Sequence, residues 1–151
     1  VDLVVMTGHV AQVFLTDEDW ARVLEVAVRL LGPGGHLAFE TRDPAAAVWA
    51  RWTPGLPHER VVADDGRVST SWVEVTSVDG GLVTFAGHTV LDDGVDRVST
   101  STLRFRDQQE VLDSVQSAGF EQVVVRGGWA DEPVGPGTSE LVVVASAPSH
   151  A

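Results

Sequence analysis

The pattern of apolar and polar positions divides the chain into three stretches of different period. The first six residues, Val1-Asp2-Leu3-Val4-Val5-Met6, are nearly all apolar and half of them β-branched. Such a run predicts a strand buried on both faces of a parallel sheet. Residues 7–14 follow as a loop or short helical turn. Thr16 then opens a helix: its hydroxyl is placed to cap, and Asp17, Glu18 and Asp19 sit at the positive end of the helix dipole. Trp20, Val23, Leu24, Ala27 and Leu30 recur at helical spacing as one apolar face. Gly32-Pro33-Gly34-Gly35 ends the helix, and His36 to Thr41 read as a second strand. Strand, helix and strand in this order predict a right-handed parallel βαβ unit.

The period then changes. Pro44, Trp49, Trp52, Pro54 and Pro57 mark a partly helical connection. Segments 59–63, 67–78, 81–91 and 96–106 alternate apolar and polar residues. The turn signals Asp64-Asp65-Gly66, Asp79-Gly80-Gly81 and Asp92-Asp93-Gly94 separate them, so an antiparallel β meander is expected as an insertion over 58–106. Beyond it, Asp107-Gln108-Gln109-Glu110 is a capping box for a helix with the stripe Val111, Leu112, Val115 and Ala118. Gly119 fits its C-terminal cap. Strands are expected at Phe120–Val125 and Glu140–Ala145, joined by a Gly/Pro-rich loop that holds Trp129, and the tail from Pro148 is expected to fray. The fold class is α/β, one domain of 151 residues. A buried first strand needs neighbours beyond the one visible downstream, so the domain is expected to be incomplete.

Composition narrows the function. The formal net charge of −12 disfavours nucleic acid, whose phosphates need a basic surface, and anionic membranes for the same reason. A small-molecule substrate is the better default. No apolar run reaches membrane-spanning length and no targeting signal is visible, which gives a cytoplasmic expectation. Cysteine is absent, which excludes disulfides, thiolate metal sites and a cysteine nucleophile. Lysine is absent too, so arginine supplies every fixed side-chain cation.

Ligands of open α/β sheets bind outside the carboxyl ends of the parallel strands. That rule selects Met6, Thr7, Gly8, His9 and Val10 after the first strand, and Glu40, Arg42 and Asp43 after the second. Gly8 permits close backbone approach, and His9 titrates near neutrality. The alternative is that His9 packs on Phe14 and Arg42 pairs with Asp43. Gly32 to Gly35 lie at the wrong end of a strand to cradle a phosphate. Trp20 belongs to the helix core; Trp49, Trp52, Trp72 and Trp129 either pack or wall a pocket. His88 is expected to face solvent from a meander strand. His36, His58 and His150 have no partners at ligand spacing, no metal motif is present, and no Gly-x-Ser-x-Gly elbow supports a hydrolase.

Read as an ordered set, Asp2-Leu3-Val4-Val5-Met6-Thr7-Gly8-His9, then Leu30 through Glu40 with its Pro33-Gly34-Gly35, then Leu103-Arg104-Phe105-Arg106 and Ala118-Gly119-Phe120, resemble the later half of a class I S-adenosylmethionine-dependent methyltransferase. The resemblance covers essentially the whole chain. It implies the C-terminal half of a Rossmann-like seven-stranded sheet with an inserted antiparallel meander, the opening strand being the fourth of seven. The implied cofactor is S-adenosylmethionine, bordered by Met6 to Val10, with Glu40, Arg42, Trp49 and Trp52 toward a small-molecule acceptor and His9 as the catalytic base. The family's Gly-rich cofactor loop and its ribose-binding acid have no counterpart here. The chain by itself is therefore expected to hold the cofactor weakly or not at all, and to associate through exposed sheet edges. The competing reading is a non-catalytic acidic interaction module.

Overall fold

The structure, a computed structural model, describes residues 1–55 and 59–149. Pro57, His58 and His150, each named above, lie outside the described residues. The chain divides into two compact units, Val1–Ala47 with Arg104–Ala151, and Val48–Leu103.

In the first unit, β1 (Leu3–Met6) and β2 (His36–Arg42) pair in parallel through α1 (Asp17–Leu30). Further along come α2 (Gln108–Ser117), β7 (Glu121–Arg126) and β8 (Glu140–Ser146). The sheet runs β1-β2-β8-β7, with β8 antiparallel to both its neighbours. Register assigns each side chain to a face. Leu37, Phe39 and Thr41 of β2 lie opposite Ala145, Val143 and Leu141 of β8, and all six are buried. This face packs with Trp20, Leu24 and Ala27 of α1 and with Val111 and Val115 of α2. Trp20 meets Phe39 edge-on with ring centroids 5.3 Å apart, and its indole N–H donates to Ser114 Oγ at 2.9 Å.

The other face of the same sheet is different. Leu3 and Val5 are 55% and 50% exposed, and Val124 and Val144, paired with each other in the β7/β8 ladder, are exposed as well. The expectation of a first strand buried on both faces is thus corrected. Only Val4 and Met6 of β1 pack on the core, because β1 is an edge strand and nothing among the described residues covers the outer side of Leu3 and Val5. A run of β-branched residues reports burial potential, and realising it requires a covering layer. A second correction concerns α1: Leu30 is 56% exposed, and Leu31, just past the helix end, is the buried residue.

Capping agrees with the sequence. Thr16 Oγ1 accepts the Asp19 amide at 3.1 Å, and Asp107 and Glu110 form a reciprocal capping box. Thr16→Ala should lower stability by about 1 kcal/mol in urea titration. Gly119 takes φ 98° after α2. The tail is tied as far as Pro148, whose carbonyl accepts the Gly34 amide at 3.2 Å, so fraying does not begin there.

The second unit holds β3 (Glu59–Val62), β4 (Val68–Asp79), β5 (Leu82–Val90) and β6 (Asp96–Arg104, whose last residue falls in the first unit) in one sheet of that order. The β3/β4 and β4/β5 pairs are antiparallel. His88 does not face solvent as expected. It stacks on its cross-strand partner Trp72 at 4.6 Å and 7°, and its Nδ1 lies 2.8 Å from Asp96 Oδ2. In the β5–β6 turn, hydrogen bonds from Arg97 and from the Val95 amide lower the pKa of Asp93 to about 2. A lowered carboxylate pKa contributes stability at neutral pH that is lost as pH falls toward 2. Arg97→Ala should return Asp93 toward the usual range near 4 in an NMR titration.

Candidate functional site

At the carboxyl ends of β1 and β2 the chain must leave the sheet, and here the loop turns sharply. Gly8 (φ 73°) and His9 (φ 57°, ψ 28°) are consecutive left-handed residues. Glycine adopts this conformation freely, whereas a histidine needs outside support. The support is visible on three sides. Glu40 Oε1 accepts the amides of Gly8 and His9 at 2.5 and 3.1 Å. The His9 carbonyl accepts the Gln12 amide at 3.0 Å, opening the 3-10 turn Val10–Val13. The His9 ring places Nε2 2.8 Å from Glu140 Oε2.

Strand register explains why these groups converge. Glu40 and Arg42 are two apart on β2 and share a face, and Arg42 lies directly opposite Glu140 in the β2/β8 ladder. Arg42 Nη1 donates to Gln12 Oε1 at 2.8 Å. Burial lowers the pKa of Arg42, and the neighbouring Glu140 carboxylate partly offsets that effect. The expected Arg42–Asp43 pairing gives way to this arrangement: Asp43 Oδ1 instead accepts the Ala45 amide at 2.9 Å and caps the short turn Pro44–Ala46.

Two polar atoms of the cluster are buried with no hydrogen-bond partner among the described residues: Glu40 Oε2 and Gln12 Nε2. Gln12 is 0% exposed and Glu40 7%. Arg42 fixes the orientation of the Gln12 amide, since a guanidinium only donates and so must meet the oxygen. The site therefore offers one unmatched acceptor and one unmatched donor, each of which a ligand or water can satisfy. Among the described residues no group of three or more metal-ligating side chains is present.

The structure thus brings together Gly8, His9, Glu40 and Arg42 of the sequence-selected residues. Met6 ends β1 facing the core, and Thr7 and Val10 flank the turn. Trp49 and Trp52 belong to the second unit, where Trp52 packs edge-on against Phe85 at 5.1 Å. Gln12 and Glu140 were missed. Gln12 looked like ordinary loop filler, and Glu140 reaches the site only through the register of β8. The β7–β8 loop opens at this same end of the sheet and displays Trp129, 59% exposed. Among the described residues no helix is long and apolar enough to cross a membrane.

The chain matches no protein-family model and no curated protein. Solved structures do match. An S-adenosylmethionine-dependent methyltransferase from Clostridium acetobutylicum aligns with a TM-score of 0.74 at 13% identity, over 97% of this chain and 58% of its own. An amino pentose methyltransferase of calicheamicin biosynthesis from Micromonospora echinaspora, solved with S-adenosylmethionine bound, aligns at 0.70 and 18% identity, over 97% of this chain and 58% of its own. The sugar N-methyltransferase from a Streptoalloteichus species aligns at 0.69 and 18% identity, over 97% of this chain and 56% of its own. The chain therefore has a fold shared with S-adenosylmethionine-dependent methyltransferases, and it spans less than two thirds of their length.

Proposed function

We propose that this chain is the acceptor-side half of an S-adenosylmethionine-dependent methyltransferase that acts on a small molecule, with β1 as the fourth of seven strands. One observation carries the reading: an ordered polar cluster of Gly8, His9, Gln12, Glu40, Arg42 and Glu140 stands at the carboxyl ends of the parallel strands of a fold shared with such enzymes. The apolar face and unpaired edge of β1 support it further, because a seven-stranded sheet would continue at that edge and its helices would cover that face. The neighbours named as amino pentose and sugar N-methyltransferases favour a polar small-molecule acceptor. The net charge of −12 disfavours a nucleic acid in that role.

The residues present fit the cofactor. Glu40 and Glu140 place negative charge at this end of the sheet, which favours a cationic sulfonium. The unmatched Glu40 Oε2 and Gln12 Nε2 provide an acceptor and a donor for polar ligand groups. Met6, Thr7, Gly8, His9 and Val10 would border the cofactor, with Glu40 and Arg42 toward the acceptor. S-adenosylmethionine supplies an already activated methyl group, so the protein's task is orientation and proton removal. His9 is the base. Its backbone is held in a left-handed conformation that costs about 1–3 kcal/mol when unsupported, a kind of strain that concentrates at functional sites.

The reading is tested on the complete protein that carries this sequence. Its preceding segment should contain a strand, a Gly-rich turn and a helix able to grip the cofactor; a segment of roughly 100 residues without them overturns the proposal. A second check is the size of this chain alone. With Leu3, Val5, Val124 and Val144 uncovered, light scattering should show concentration-dependent association. A stable monomer at high concentration would favour the interaction-module alternative.

A further inference from the structure

We propose that Glu140 is a positioning residue that fixes His9 as its Nε2–H tautomer and leaves Nδ1 as the atom that takes the acceptor's proton. The inference rests on the methyl-transfer reading for its chemistry, while its geometric half stands apart from that reading. An ionised carboxylate only accepts hydrogen bonds. With Glu140 Oε2 2.8 Å from Nε2, the ring proton must sit on Nε2 whenever the imidazole is neutral. Among the described residues no group bonds Nδ1. The nitrogen with the lone pair is therefore the unencumbered one.

Each neighbour reinforces this choice. Arg42, opposite Glu140 across the ladder, places a cation beside that carboxylate and holds Gln12 with its other contact. Glu40 fixes the His9 amide and so the backbone position from which the ring reaches Glu140. In the reaction, the acceptor's lone pair forms the new bond to the methyl carbon, and the electron pair of the broken carbon–sulfur bond goes to sulfur. The proton lost by the acceptor's N–H or O–H passes to Nδ1. The resulting imidazolium carries its charge against Glu140. A hydrogen bond to a charged group biases the tautomer by about ten- to a hundredfold.

The test is long-range proton–nitrogen correlation NMR on the chain labelled at its histidines, under alkaline conditions that leave imidazoles neutral, with His9→Gln assigning the signal. Wild type should show Nε2 protonated and Nδ1 bare. Glu140→Leu should relax the ring toward a mixture of both tautomers, and Glu140→Asp should restore the wild-type bias where the shorter chain still reaches. A wild-type spectrum with Nδ1 protonated overturns the proposal, and it needs no variant to fold. An unchanged tautomer in a folded Glu140→Leu also overturns it. Neither outcome touches the methyl-transfer reading, which fails separately if the complete protein takes up no S-adenosylmethionine.

Discussion

Trp20→Ala should lower the stability of the first unit by about 3–5 kcal/mol, the range for removing a large aromatic from a packed core. Trp20 is 1% exposed and meets Phe39 at 5.3 Å and Phe14 at 6.0 Å. It also lies 5.5 Å below the guanidinium of Arg106, which is 4% exposed and donates to the carbonyls of Phe14 and Thr16. Removing the indole would open a cavity and uncover a buried cation in one step. Because folded domains are stable by only about 5–15 kcal/mol, a large share of the total would go. Trp20→Phe separates the parts: it keeps most of the volume and loses the hydrogen bond to Ser114, so about 1–2 kcal/mol is expected. Urea titration of both variants checks the pair. A loss below about 1 kcal/mol for Trp20→Ala would mean that the core is not organised around this residue.

The second large effect belongs to Glu40. Its Oε1 is the shared acceptor for two amides in a left-handed turn, so Glu40→Leu strands both donors and releases His9. About 2–3 kcal/mol of stability should be lost, with faster hydrogen exchange at Gly8 and His9. Glu40→Gln keeps a carbonyl oxygen for the two amides and should lose much less. Equal losses for the two variants would assign Glu40 a role set by charge rather than by the loop.

The legibility of this fold was uneven for physical reasons. The helices declared themselves because their caps are local: Thr16 with Asp19, and Asp107 with Glu110, act within three residues. Strand positions were legible from period and turn chemistry. Face and exposure were not, because whether Leu3 and Val5 are covered depends on layers that no local pattern encodes. The same division holds at the site. Gly8, His9, Glu40 and Arg42 follow from the rule that ligands meet the carboxyl ends of parallel strands. Glu140 lies about a hundred residues further on and enters by pairing Arg42 with itself across an antiparallel ladder. Gln12 is recognised only once its amide is seen buried between Arg42 and an unmet hydrogen bond. His88 illustrates the reverse error: an alternation that marks it as outward-facing does not reveal that Trp72 stands beside it to be stacked upon.

The decisive measurement is calorimetric titration of the complete protein carrying this sequence with S-adenosylmethionine. Saturable heat with one cofactor bound per chain is the expected result. A folded protein that gives no heat of binding would contradict it.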